Sequence, residues 1–106
     1  MSGHFKVQTY IPESHLNLVK EELNKIITPI FPHYDFVFSW HPVNGSWRPL
    51  AGSNAYQGEI GKIEIATEMK LEFTIVESDL QNVFATIKKF HPYEQPVIEA
   101  FAVLVK

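Results

Sequence analysis

Within the run His91-Pro92-Tyr93-Glu94-Gln95-Pro96, an imidazole, a phenol and a carboxylate fall in four residues bracketed by two prolines. His91 and Glu94 could hold a divalent metal or an anion. They could equally tie down backbone, the histidine at the carbonyls ending a helix and the carboxylate on N–H groups. Each proline fixes its own φ and pushes the residue before it out of the helical region, so the backbone carrying these groups is rigid. A helix-to-strand connection seldom needs that much chemistry, so the run holds a site or plugs an interface. Two ligands three residues apart make an incomplete shell for zinc, which usually takes three or four protein ligands. The structural reading, with Tyr93 packed between elements or subunits, is therefore preferred over the metal one.

Three further acids, Glu64, Glu68 and Glu72, recur every fourth residue. On a strand that spacing is roughly 13 Å. It is too long for neighbours to share one ion at about 2.0–2.6 Å or to act as paired glycosidase carboxylates about 5–9.5 Å apart. They read as a solvated or interface face, with Arg48 as a salt-bridge partner. Trp47-Arg48-Pro49 reads as a ligand lid or, preferably, as an interface in which Trp47 fills a subunit crevice, since Trp and Arg are enriched at binding hot spots. His4, His15, His33 and His41 have no partner at metal-binding spacing, and no nucleophile elbow or phosphate-cradling glycine loop occurs. Gly58-x-x-Gly61 reads as a tight turn before a strand.

The elements that must position these residues follow from periodicity. Residues 4–11 alternate, with Phe5, Val7, Thr9 and Ile11 on one face of a strand. Pro12 and Glu13 open a helix whose buried stripe is Leu16, Val19, Leu23, Ile26 and Ile27. Glu21 and Lys25 are set to pair along it, and Pro29 and Pro32 end it. Residues 33–40 read as a second strand, and 41–62 as a long loop containing the turn dipeptide Asn44-Gly45 or short edge strands hidden within it. Residues 63–75 give the cleanest alternation in the chain. Ile63, Ile65, Thr67, Met69, Leu71, Phe73 and Ile75 share one face, against Glu64, Glu68, Lys70 and Glu72 on the other. Ser78 and Gln81 have capping-box spacing for a second helix with stripe Leu80, Val83, Phe84 and Ile87 and with Lys88-Lys89 at its C-terminal end. Residues 97–105 close the chain as a strand apolar on both faces. The order β-α-β-loop-β-α-β predicts an α+β ferredoxin-like sandwich, an antiparallel sheet with both helices on one face. A doubly apolar last strand at a sheet edge is a liability unless a partner subunit covers it, so a homo-oligomer is expected.

At 106 residues the chain is expected to be one domain, 1–106. A formal charge of −3 without a Lys/Arg cluster beyond Lys88-Lys89 argues against nucleic acid. No apolar run approaches the roughly 18 residues of a membrane span, and the N-terminal residues lack a secretory pattern. Cysteine is absent, which removes disulfides and thiolate chemistry. The expected location is cytoplasmic.

Gly45-Ser46-Trp47-Arg48-Pro49 with Gly52, Gly58-x-x-Gly61-x-x-Glu64, and His91-Pro92-Tyr93-Glu94-x-Pro96 together resemble the PII-like, CutA-like insert domain of the YqfO family, the NGG-one-interacting-factor-like proteins. The turn is also similar to that of CutA, the divalent-cation tolerance protein. The resemblance covers about residues 3–105. It implies the ferredoxin-like fold and assembly as a trimer. Full-length members carry a second domain that binds two metals. This chain resembles a standalone copy of the insert, so that hydrolase-like chemistry transfers to no residue here. The expected function is a non-enzymatic oligomeric module that is regulatory or binds a small ligand or ion, with sites between subunits. The alternative is a divalent-metal protein of CutA-like type using His91 and Glu94, with a metal-dependent hydrolase third.

Overall fold

In the computed structural model, which describes residues 3–106, alternation along His4–Ile11 (β1) is realised as burial: Val7, Thr9 and Ile11 are fully enclosed. The same period buries Leu71, Phe73 and Ile75 of the strand Glu64–Val76 (β3), which pairs antiparallel with β1 from Ile11↔Met69 to His4↔Val76. Against this face pack Leu16, Val19 and Leu23 of the helix Glu13–Asn24 (α1) and Val83 and Ile87 of the helix Leu80–Phe90 (α2), forming one cluster. Each large side chain removed from water in this way contributes about 1.5–3 kcal/mol before conformational entropy is counted. The remaining strands are Ser39–Trp47 (β2) and Ile98–Val103 (β4). The sheet order is β2-β3-β1-β4, all antiparallel, with both helices on one face: an α+β ferredoxin-like sandwich. As expected, the last strand lies at an edge. Among the described residues no helix is long and apolar enough to cross a membrane.

The second strand lies later than the pattern predicts. Residues 33–38 are not a strand, because His33 (φ 77°) and Phe36 (φ 52°) take left-handed conformations that break extended backbone. Asn24 holds this segment by accepting the Phe36 N–H (2.8 Å) and donating to Asp35 (3.2 Å). Phe38 packs edge-on against Phe73 at 5.3 Å. The true strand runs through Pro42, tolerated because β2 is an edge, and through Asn44-Gly45, which is therefore no turn. β2 and β3 continue together past the end of β1, from Val43↔Glu68 to Trp47↔Glu64. Beyond the reach of the helices Ile63 and Ile65 are exposed, the latter 70%, so the apolar face expected to be buried along all of 63–75 is buried only in its second half.

Other local expectations shift too. α1 stops at Asn24, well before Pro29, leaving Ile26 and Ile27 to pack on the core from a turn. Lys25 pairs with Glu22 (2.6 Å), not Glu21. Ser78 forms no capping box. Glu77–Asp79 is a 3₁₀ turn, and no side chain caps α2. β4 is shorter than 97–105, and its two faces are unequal. Ile98 and Ala100 pack on the core, while Phe101 on the other face is 47% exposed.

Buried Asp79 accepts the Thr28 N–H at 2.8 Å and so joins the turn after α1 to the start of α2. Asp79→Ala is expected to cost about 1.5–3 kcal/mol, the worth of a hydrogen bond to a charged acceptor. Urea denaturation with an unchanged m-value is the check, and a midpoint equal to that of the parent protein refutes the assignment.

Candidate functional site

α2 ends where Pro92 requires it. His91 is extended (φ −76°, ψ 137°), as a residue before proline must be, and its N–H closes the helix on Ile87 O at 2.8 Å. That conformation turns the imidazole away from the helix. Nε2 donates to Tyr10 O of β1 at 2.6 Å and Nδ1 accepts the Tyr93 N–H at 3.1 Å. The acceptor role of Nδ1 puts the proton on Nε2, so His91 is neutral with both nitrogens engaged. It thus caps a strand carbonyl rather than helix carbonyls. Burial lowers its pKa from 6.5, reinforced by His15 and opposed by the bond to Tyr10 and the charge of Glu68. The far end of the turn is fixed by Thr9, whose hydroxyl donates to Val97 O at 2.7 Å. Two consecutive residues of β1 therefore hold both ends of the 91–97 connection.

Between these anchors Tyr93 is a hub. Its ring lies 4.6 Å from that of His91, 5.7 Å from Trp47 and 5.9 Å from Tyr56, and its hydroxyl donates to Glu68 Oε2 at 2.8 Å. Burial raises its pKa first, then the bond to Glu68, the Glu68 charge and Tyr56. Glu68 belongs to the face of β3 opposite the helices, yet it is only 8% exposed. It fits because its carboxylate lies over Gly45, where any Cβ would collide with Oε1. The glycine that looked like a turn residue is a close-approach residue.

The segment 48–63 folds over this end of the sheet. Pro49 O accepts the Gly61 N–H at 2.8 Å. Gly58 has φ 109° and sits against Pro49, Glu64 and Trp47 Nε1. Gly61, at φ 82°, completes the expected turn before β3. The Trp47 indole donates to Gln57 O at 2.9 Å, and Gln57 donates to Glu64 at 3.0 Å. Glu94 accepts the Asn54 N–H at 2.7 Å, joining this segment to the 91–96 turn. What the two segments enclose is a cleft of about 310 Å³ walled by Tyr10, Trp47, Tyr56, Tyr93 and Val97, with the charged side chains of Glu68, Glu94 and Arg48 and the neutral polar ones of Ser46, Ser53, Gln57 and Gln95.

The residues singled out from sequence thus divide. Trp47, Glu68, Tyr93, Glu94 and Arg48 meet at the cleft. Glu64 stands beside it through Gln57. Glu72 lies elsewhere on the open face, 3.7 Å from Lys6 and 3.3 Å from Lys70. The three acids are three separate sites. Arg48 pairs with none of them and is exposed. Trp47 is half-covered by its own chain. His91 and Glu94 have separate partners, and the described residues contain no group of three or more His, Cys, Asp or Glu able to hold a metal. His33 and His41 are exposed, and His15 stands edge-on to Tyr56 at 6.0 Å. Sequence reasoning missed Tyr56, Thr9, Tyr10 and Asn54. Tyr56 had a signal, a lone large aromatic in a Gly/Ser/Asn-rich stretch.

No protein-family model matches the chain. Its sequence is 33% identical over 98 residues to a GTP cyclohydrolase 1 type 2 homolog of Staphylococcus epidermidis, covering 92% of the chain but 27% of that protein. A Staphylococcus aureus protein of the same name is 33% identical over 96 residues, 91% of the chain and 26% of that protein. The chain spans about a quarter of the length of these curated relatives. Among solved structures, a Bacillus cereus protein related to NIF3 superimposes with a TM-score of 0.81 at 20% identity, over 97% of the chain and 26% of that protein. The periplasmic divalent cation tolerance protein CutA of Archaeoglobus fulgidus gives 0.70 at 17% identity, over 97% of the chain and 86% of that protein. The chain has the CutA fold. It resembles the PII/CutA-like portion of the longer NIF3-related proteins in sequence as well.

Two predictions follow from the hub. A folded-state pKa below 6.5 means that unfolded His91 binds a proton before folded His91 does. Stability contributed by the neutral ring is therefore complete above about pH 6.5 and falls as pH drops through the lower folded value. The melting temperature should decline from about pH 6.5 to 5, and His91→Asn should flatten that slope. An equal slope in the variant assigns the decline to other groups. Gly45→Ala should displace Glu68 and lose its bond to the phenol, at a cost of about 1–3 kcal/mol. Tyr93→Phe should leave little further for Gly45→Ala to remove in a double-mutant cycle, and full additivity of the two sinks the coupling.

Proposed function

We propose that this chain is a non-enzymatic binding module that assembles into a homo-oligomer, a trimer as the resemblance to CutA implies, and takes a small molecule in the cleft between the 91–96 turn and the 48–63 segment. The observation that carries the reading is the cleft itself. Its walls are fixed by hydrogen bonds donated by Asn54 N–H to Glu94, by Trp47 to Gln57 O and by Tyr93 to Glu68, and it combines four aromatic side chains, Tyr10, Trp47, Tyr56 and Tyr93, with polar groups that can orient a ligand, a make-up that suits a ligand pocket. Among the described residues no group of three or more His, Cys, Asp or Glu is placed to hold a metal there. The activity in the names of the longer relatives belongs to proteins of which this chain matches about a quarter.

Assembly is supported by what the chain leaves uncovered. Phe101 on the open face of edge strand β4, Ile63 and Ile65 on the projecting hairpin, and Tyr34, Phe36 and Val37 after α1 are exposed large apolar side chains. Exposed apolar surface of that extent marks interaction surfaces. For His91 and Glu94 the geometry supports the structural role. A metal on His91 would have to displace a bond at 2.6 Å or one at 3.1 Å from a buried ring. The divalent-cation wording in the CutA name is therefore not extended to these two residues.

Light scattering should give a multiple of the 12.2 kDa chain mass, and Phe101→Glu should lower it. In a Trp40→Phe background, Trp47 emission should respond saturably to at least one member of a library of small charged and neutral metabolites. A concentration-independent monomer removes the assembly half of the reading, and an emission that no compound changes removes the ligand half.

A further inference from the structure

We propose that the cleft selects a small organic cation, an alkylammonium group carrying a hydrogen-bonding arm, with Glu68 as counter-charge and Trp47, Tyr56 and Tyr93 as the faces that receive it. This rests on reading the cleft as a small-ligand site. Glu68 is a carboxylate with 8% exposure, and among the described residues no Lys, Arg or His nitrogen lies within salt-bridge distance of it. Its hydrogen-bond donor is a neutral phenol. A carboxylate taken out of water without a cation is costly, and a ligand bringing the positive charge offsets that cost. The cleft has a matching sign, since its lining contains the carboxylates of Glu68 and Glu94 against the one guanidinium of Arg48, which is exposed.

The walls decide which cation. An inorganic divalent ion needs six or more oxygen ligands or a compact N/O cage. The described residues offer no group of three or more ligating acids and histidines. Aromatic faces instead favour a weakly hydrated cation, whose attraction to the ring quadrupole is not outweighed by lost hydration. Tyr93 stands between Trp47 and Tyr56 at 5.7 and 5.9 Å, so three rings present one continuous aromatic surface beside the carboxylate. The arm is inferred from Ser53. The residue belongs to the cleft lining, and its hydroxyl oxygen is buried without a hydrogen-bond partner. A ligand hydroxyl or carbonyl there would satisfy it.

Choline and its neutral isostere 3,3-dimethylbutan-1-ol have the same shape and hydroxyl and differ in charge. Titrated against the Trp40→Phe protein, choline should change Trp47 emission saturably and bind roughly tenfold tighter than the isostere. Glu68→Gln keeps an oxygen for the Tyr93 phenol and should bring the two ligands within about a factor of two. Tyr56→Leu leaves Glu68 untouched and should weaken choline more than the isostere, so the inference stays testable if Glu68→Gln fails to fold. Equal affinity for the two ligands, or preference for a neutral or anionic library member at the same Trp47 signal, overturns the cation assignment while the small-ligand reading stands. A library in which nothing changes that signal overturns both.

Discussion

A carboxylate held under a phenol organises this end of the molecule. The bond from Tyr93 to Glu68 is one contact of 2.8 Å, but both partners need several unrelated features to meet. Glu68 must lie flat on the open face of β3, which requires a strand neighbour without a side chain, and Gly45 is that neighbour. Tyr93 must descend onto the sheet from a connection that begins behind it, which requires the helix to stop and the chain to turn sharply. Pro92 and the imidazole of His91 do both. Once the phenol is placed, its ring becomes the surface against which Trp47 and Tyr56 rest. The loop that carries Tyr56 then has something to fold onto. The order of dependence runs from a glycine to a carboxylate, a phenol, and finally a loop. It explains how a sixteen-residue connection without regular structure, residues 48–63, is held in one conformation.

The clamp on β1 explains why such a site can be rigid at the end of a sheet, where strands usually fray. Thr9 and Tyr10 are neighbours in the central strand, paired on both sides or nearly so. Thr9 holds the last residue of the turn and Tyr10 the first. Motion of the turn relative to the sheet would therefore break bonds to an interior strand of the fold. For a binding site this pre-organisation lowers the ordering entropy lost on association. It also fixes the role of the histidine. Nδ1 must accept from Tyr93 while Nε2 donates to Tyr10, and only a neutral imidazole does both.

Much of this was legible in the sequence, for a physical reason. β1, α1, the core half of β3 and α2 each bury one face, and a buried face leaves a period. The 91–96 turn was legible because two prolines and three chemically active side chains have few uses in a connection. β2 was not legible. It is an edge, so its burial is weak. It contains Pro42, and Asn44-Gly45 carries a turn signature for a reason that has nothing to do with turns. The aromatic-rich run Tyr34-Asp35-Phe36-Val37-Phe38 imitated a strand, although φ values of 77° at His33 and 52° at Phe36 forbid one. Alternation assigns Glu68 to a solvated or interface face. Alternation reports which side of a sheet a residue faces and says nothing about a loop that returns to cover that side.

The same distinction bears on Arg48 and Phe101. Both were expected at contacts between copies, and within one chain both are exposed with no partner that settles them. Phe101 stands on the face of β4 opposite the core, across from Lys6 of β1. Glu72 and Lys70 lie close by on the same open surface. An aromatic ring surrounded by paired charges suits an interface whose centre is dry and whose rim is polar. The cleft lies at the other end of that face, where the hairpin of β2 and β3 runs beyond β1. A second copy seated on the open face could therefore cover Phe101 without entering the cleft, because the 91–97 turn and the 48–63 segment already occupy the space above Glu68. On this geometry the assembly and the ligand site proposed above use different parts of one surface, and the cleft, unlike the sites expected between subunits, takes its walls from the chain's own loops.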